Sequence, residues 1–245
     1  MNLLSLTTNP TEDPLVFDTC WMTGLIQKGR VRVTVPRLDD GRTAAELAAT
    51  QYLLTVKNVC GHNKAGAGLV IRASSSTVLD LANGTSQKSY LAPYANFLRT
   101  RFLGVTIEHA EAPFVWADEL CEQQVDFIEV EKPSLTVIDI AEVGPVELTA
   151  HAVEKYVKRF DRKPEKAWRE LQRIGRDGKL ATLVGRSAMH DIKHRRPGRY
   201  VLDQKRDVML VIAEPDRAGM LPRLVTVVRP EANARVAEIS SAVYA

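Results

Sequence analysis

The spacing of apolar residues in the first half of the chain predicts alternating strands and helices. Residues 29–35 alternate strictly between polar and apolar, which is typical of a strand with one face in solvent. Residues 43–59 are rich in helix formers, and Thr43 with Glu46 has the spacing of a capping box, which places Glu46 in the first helical turn. The other elements predicted in this half are strands at 15–18, 68–73 and 104–109 and helices at 77–83, 91–101 and 113–127.

The second half of the chain shows a different order of patterns. Two amphipathic helices are predicted first, and strand-like segments follow them at 198–203, 208–213 and 223–229. Residues 133–147 mix a short apolar run with Pro and Gly, which favours a linker or an edge strand. We therefore predict an α/β domain at 1–132, a linker at 133–147, and a small α+β domain at 148–245.

Charge is distributed unevenly over these regions. Residues 1–150 carry 12 Lys and Arg against 18 Asp and Glu, a net charge of −6, whereas residues 151–206 carry 17 against 7, a net charge of +10. A strongly basic segment next to an acidic one indicates two parts with different partners, and it makes 151–206 a candidate nucleic-acid contact.

Two further patterns exclude other classes of protein. No apolar stretch approaches the length of a membrane helix, and the N-terminal residues lack the basic start of a signal peptide, so the expected location is the cytoplasm, with no membrane partner. Three cysteines stand far apart without a CxxC pair, which favours free thiols over a zinc site or a disulfide framework.

Four segments of the first half resemble successive elements of the ribonuclease H family. Residues 16–18 resemble its first strand, which ends in Asp. Residues 44–49 resemble its first helix, in which a Glu precedes an Ala-rich run, and residues 70–75 and 116–120 resemble a later strand and the last helix. The resemblance implies a ribonuclease H-like α/β domain, in which a mixed sheet has flanking helices.

The same resemblance implies a metal site for phosphodiester hydrolysis. Asp18, Glu46 and Asp118 would bind two Mg²⁺ or Mn²⁺ ions and act in catalysis, because clustered hard oxygen ligands suit these ions. His109 stands close to where the family has a proton-shuttling histidine. One departure weakens this prediction: Ser74 occupies the place of the fourth acid, and a serine is a poor substitute for a bridging carboxylate.

The basic segment is similar, at low specificity, to small RelE/BrnT-like toxin ribonucleases. His151, Lys155 and Arg159 share one face of a predicted helix, and Arg199 opens a predicted strand. The resemblance implies metal-free RNA cleavage in which His151, His190 or His194 moves the proton and basic side chains hold the phosphate. The basic residues expected to contact nucleic acid are Lys155, Arg159, Lys193, His194, Arg195, Arg196 and Arg199.

Three functions remain open at this point. The first is a nuclease acting on RNA or an RNA-containing duplex, which is metal-dependent through Asp18, Glu46 and Asp118 or metal-free through the C-terminal region. The second is a catalytically inactive protein that binds nucleic acid or a ribosome. The third is a phage- or plasmid-type regulator that binds a host protein.

Overall fold

The computed structural model describes residues 2–24, 27–61, 63–110, 114, 116–117, 125–183, 198–215, 217–230 and 234–236. The chain divides into two compact units, Met1–Leu135 (unit 1) and Thr136–Ala245 (unit 2), and each has its own sheet. Within the described residues, no helix is both long and apolar enough to cross a membrane.

Unit 1 contains a six-stranded mixed sheet in the order β5-β4-β1-β2-β3-β6. Strands β1, β2 and β3 form an antiparallel meander, whereas β4 runs parallel to β1, β5 parallel to β4, and β6 parallel to β3. The strands are β1 (Asn2–Pro10), β2 (Val16–Thr23), β3 (Gln27–Thr34), β4 (Leu69–Ala73), β5 (Thr106–His109) and β6 (Val125–Glu129). The helices are α1 (Gly41–Thr55), α2 (Ser76–Asn83), a 3₁₀ turn (Ser89–Leu91) and the short α3 (Asn96–Arg99).

One face of this sheet forms the core of unit 1 with α1. Leu4 and Leu6 of β1, Phe17 of β2 and Ile71 of β4 are buried in the same cluster as the apolar side of α1. A Cβ on Gly41 would meet the Phe17 ring at 3.1 Å, which shows how closely the start of α1 approaches β2. Since side chains alternate along a strand, the neighbours of these residues point to the opposite face.

Unit 2 contains a seven-stranded sheet in the order β13-β9-β10-β11-β12-β8-β7. Its strands are β7 (Val137–Ile140), β8 (Gly144–Leu148), β9 (Lys179–Leu183), β10 (Gly198–Asp203), β11 (Val208–Ala213), β12 (Arg223–Val228) and β13 (Ala234–Val236). Its helices are α4 (Ala150–Phe160) and α5 (Pro164–Asp177). Thr149 caps α4, because its hydroxyl accepts from Ala152 N at 3.1 Å and donates to the Leu224 carbonyl at 2.7 Å.

Several predicted elements differ from the observed ones. The helix at 91–101 is reduced to α3, since Pro93 lacks the amide that a continuous helix needs. The helix at 113–127 is wrong at its end, where residues from Val125 onward form β6 beside β3. Residues 133–147, predicted as a linker or an edge strand, contain β7 at the edge of its sheet, paired with β8, and Ile138, Ile140 and Val146 are buried.

Candidate functional site

A polar cleft of about 510 Å³ opens in unit 1 where two helices begin. The first turn of α1 forms one wall, the loop from β4 into α2 forms another, and His109 at the end of β5 borders both. The lining residues are Pro14, Phe17, Leu38, Asp39, Asp40, Gly41, Arg42, Thr43, Ser74, Ser75, Ser76, Thr77 and His109.

The first turns of α1 and α2 both border this cleft. Asp40 and Ser75 occupy the N-cap positions of α1 and α2, and neither side chain makes a capping hydrogen bond. The first amides of a helix have no partner within it and carry partial positive charge. The walls of the cleft therefore favour an anion, and the hydroxyls of Thr43 and Ser75, which lie 3.2 Å apart, add further polar groups.

Glu46 lies behind the cleft and reaches it through Ser74. Its side chain is fully buried on α1, and Oε1 accepts the Ser74 amide at 2.6 Å. This contact replaces the expected capping box with Thr43, because α1 already begins at Gly41. Burial raises the pKa of Glu46 to about 7, against the opposing effect of the Ser74 hydrogen bonds and the charge of Arg42. Among the described residues, none forms a hydrogen bond with Glu46 Oε2.

Asp18 lies on the other face of the sheet, so the prediction that it converges with Glu46 is wrong. Phe17 points into the core with α1, and its neighbour Asp18 therefore points away. Both Asp18 oxygens accept from Arg32, from Nε and Nη2, at 2.8 Å each, and Arg30 Nη1 lies 3.6 Å from Oδ2. The hydrogen bonds to Asp18 raise the pKa of Arg32 above its ordinary value. This carboxylate is engaged by two guanidinium groups.

The first strand of the fold is β1, and it contains no acid. Thr8 of β1 contacts Ser74, which lines the cleft: the Thr8 amide donates to Ser74 Oγ at 3.3 Å, and the Thr8 hydroxyl lies 2.9 Å from that of Thr19. Where the family resemblance implies acids on the first strand and after the later strand, this face carries Thr8 and Ser74. In the described part of the chain, no three acidic, histidine or cysteine side chains come together in a way that could hold a metal ion.

Arg42 is the cleft residue that sequence reasoning missed. It is exposed on the first turn of α1, and its Nη2 lies 3.5 Å from Ser74 Oγ. Its signal in the sequence is weak, because an arginine that follows an Asp-Asp-Gly turn is usually only solvated. The second basic group at the rim is Lys88, whose Nζ contacts Asp40 Oδ1 at 2.6 Å and thereby lowers the pKa of Asp40.

The residues of unit 2 that were predicted to contact nucleic acid differ in their exposure and in their hydrogen-bond partners. His151 is exposed and Lys155 is half-buried on α4. Arg159 donates to the Val227 carbonyl at 2.6 Å, and Glu214 holds Arg199 through two hydrogen bonds. These two arginines therefore already have partners inside the unit.

Six predicted site residues lie outside the described residues. They are Asp118, His190, Lys193, His194, Arg195 and Arg196.

Comparison with known proteins yields similarity to solved structures only. No protein-family model matches the chain, and no curated protein matches it. Among solved structures, the chain is similar to ribonuclease H1 of the halophilic archaeon Halobacterium salinarum, with 17% sequence identity, a TM-score of 0.37, and coverage of 49% of this chain and 92% of that one. A superposition this loose carries no argument about the activity or the site residues of this chain.

Proposed function

We propose that this chain binds RNA or an RNA-containing duplex, and that unit 1 is a degenerate ribonuclease H-like domain whose cleft contacts a phosphodiester directly. The element order of β1 to β5 with α1 and α2 is the order that the family resemblance implies. The observation that carries the proposal is the position of Asp18, which lies on the far face of the sheet and is bound by Arg32 and Arg30.

The charge balance of the cleft supports direct phosphate contact. A cluster of carboxylates repels a phosphodiester unless metal ions lie between them. Here Ser74 is neutral and Arg42 supplies a positive charge beside it. Lys88 offsets Asp40, which leaves the exposed Asp39 as the opposing charge on the rim. The helix N-termini then add donors that suit an anionic oxygen.

The described residues do not fit the two-metal site that the resemblance implies. Glu46 is buried and uses Oε1 for the Ser74 amide, whereas Asp18 lies across the sheet. Two Mg²⁺ ions about 4 Å apart need several carboxylates converging on one point. We therefore derive no catalytic step through metal in this cleft.

Replacing Arg42 tests the proposal. We expect Arg42→Gln to weaken binding of a labelled RNA/DNA hybrid about tenfold in EDTA at low salt, because one charge-assisted phosphate contact is lost. Fluorescence anisotropy measures the affinity. Arg37→Gln is the matched control, since Arg37 is exposed and does not line the cleft. Equal affinities for wild type and both variants would contradict a role for the cleft.

A second candidate is metal-free RNA cleavage by unit 2, which the exposed position of His151 on α4 favours. Purified protein would then cut RNA in the presence of EDTA, and His151→Ala would abolish the cutting. If the chain instead binds a protein or a ribosome, and neither salt nor added nucleic acid weakens this binding, the result would favour a protein or ribosome partner.

A further inference from the structure

Helix α5 presents a row of basic side chains that no predicted site includes. Lys166, Arg169 and Arg173 are exposed and recur at helical spacing, so they share one side of the helix. The opposite side of α5 is buried through Ala167, Leu171 and Ile174. We call Lys166, Arg169 and Arg173 the α5 row.

Among the residues that the structure describes, no acidic side chain forms an ion pair with any member of the row. Glu170 accepts the Tyr156 hydroxyl at 2.8 Å and lies 3.7 Å from Arg162, and Asp177 pairs with Arg176 and Arg206. The neighbouring acid Glu165 is half-buried. The positive charge of the row is therefore available to an outside anion.

The packing of α5 against the sheet fixes the direction in which these side chains extend. Gly175 and Gly178 let the helix approach the sheet closely: a Cβ on Gly175 would lie 3.1 Å from the Asp139 carbonyl, and one on Gly178 would lie 2.7 Å from Val201. Such contacts hold the helix at one rotation against β7 and β10. The row is thus presented by a rigid element rather than by a loop.

We propose that the α5 row binds the phosphate backbone of a nucleic acid strand, which rests on the proposed function and adds a second contact surface to it. The row spans about 10 Å along the helix, a length that matches successive backbone phosphates. Two of its three members are arginines, whose planar groups bind phosphate oxygens in pairs. The exposed side of α5 has no large apolar residue to enter a lipid surface, so its chemistry favours nucleic acid over a membrane.

The test uses the full chain with three charges removed together. Lys166→Gln, Arg169→Gln and Arg173→Gln form the row variant, and Lys64→Gln, Lys132→Gln and Lys205→Gln, all at exposed positions, form a control with the same net charge. We expect the row variant to bind a single-stranded RNA 20-mer about 10- to 100-fold more weakly at low salt. The slope of log affinity against log salt should fall by about 2, and the control should keep both values near wild type.

A second measurement uses the unaltered protein. Bound RNA should protect Lys166 from acetylation while Lys64 and Lys132 stay reactive, as mass spectrometry would show. Equal affinity of the row variant and the control, or no protection of Lys166, overturns this inference and leaves the proposed function intact. Binding to phosphatidylserine vesicles instead of RNA overturns both, and so does the absence of any nucleic-acid binding by wild type.

Discussion

Glu46→Gln should make the free energy of unfolding less dependent on pH between 4.5 and 7. The pKa of Glu46 is raised by burial from 4.5 to about 7. Below pH 4.5 the side chain is protonated in both states. As the pH rises toward 7, the unfolded chain releases the proton while the folded chain keeps it, so wild-type stability falls by about 3 kcal/mol and stays low above that range.

Glu46→Gln does not lose stability in this way, because a glutamine side chain does not titrate. Its carbonyl oxygen still accepts the Ser74 amide, and its amide group places an unpaired donor at the position of Oε2, which costs about 1 kcal/mol at every pH. At pH 8 the variant should therefore be more stable than wild type by about 2 kcal/mol, whereas at pH 4 it should be slightly less stable. Urea denaturation at several pH values measures both quantities.

Glu129→Gln is the control for this experiment, because Glu129 is exposed on β6. Glu129→Gln should leave the pH dependence of the free energy of unfolding unchanged. If wild type and Glu46→Gln lose stability in parallel as the pH rises, Glu46 is ionised in the folded protein and its surroundings differ from those described above.

Asp18→Asn should destabilise unit 1 by about 2 kcal/mol and leave nucleic-acid binding unchanged. The Asp18 side chain is 18% exposed and holds Arg32 and Arg30, whose side chains are 38% and 16% exposed. An asparagine accepts through one oxygen and carries no charge, so two guanidinium groups would face each other with little compensation. Thermal unfolding and hybrid binding measure the two effects.

The matched substitution is Asp126→Asn on β6. Asp126, whose side chain is 22% exposed, pairs with Lys57, which is 37% exposed, and a surface pair of this kind contributes about 0–1 kcal/mol. A metal-dependent nuclease would respond in the opposite way. Asp18→Asn would then abolish Mg²⁺-dependent cleavage with little loss of stability.

The missed strand β1 explains why the site was assembled incorrectly from sequence. Leu4 and Leu6 alternate with Ser5 and Thr7, and a strand buried on both faces ordinarily shows a continuous apolar run. Here the hydroxyl of Thr8 is satisfied by Thr19, which makes a polar residue acceptable in the interior. Because β1 is not predicted, residues 16–18, which belong to β2, stand as the first strand in the prediction from sequence.

Other features followed directly from local pattern. The strict alternation of β3 and the helix-forming run of α1 match the observed elements closely, as do α4 and α5 in unit 2. The helices α4 and α5 are amphipathic and β3 alternates, so the spacing of their apolar residues records which side is buried, whereas α1 is buried over most of its surface. The strand predicted at 68–73 is observed as β4, and Ser74 directly follows it, while its correspondence to an acid of the family stays a prediction.

The rest depends on contacts between distant residues. Glu46 accepts the amide of Ser74, 28 positions away, and Arg199 pairs with Glu214, 15 positions away. A sequence pattern shows neither partner. The same holds for the α5 row, where the sequence gives the spacing but only the structure shows that Glu170 and Asp177 bind other side chains.

The most direct test of the central claim compares one RNA/DNA hybrid with the protein in about 5–10 mM Mg²⁺, a concentration at which such ions fill carboxylate sites, and in EDTA. The affinity and the length of the products are recorded from the same samples. We expect tight, salt-sensitive binding in both buffers and an intact hybrid throughout. Cleavage that requires Mg²⁺ and disappears in Asp18→Asn would contradict the account, because it would require Asp18 to leave Arg32 and act with Glu46.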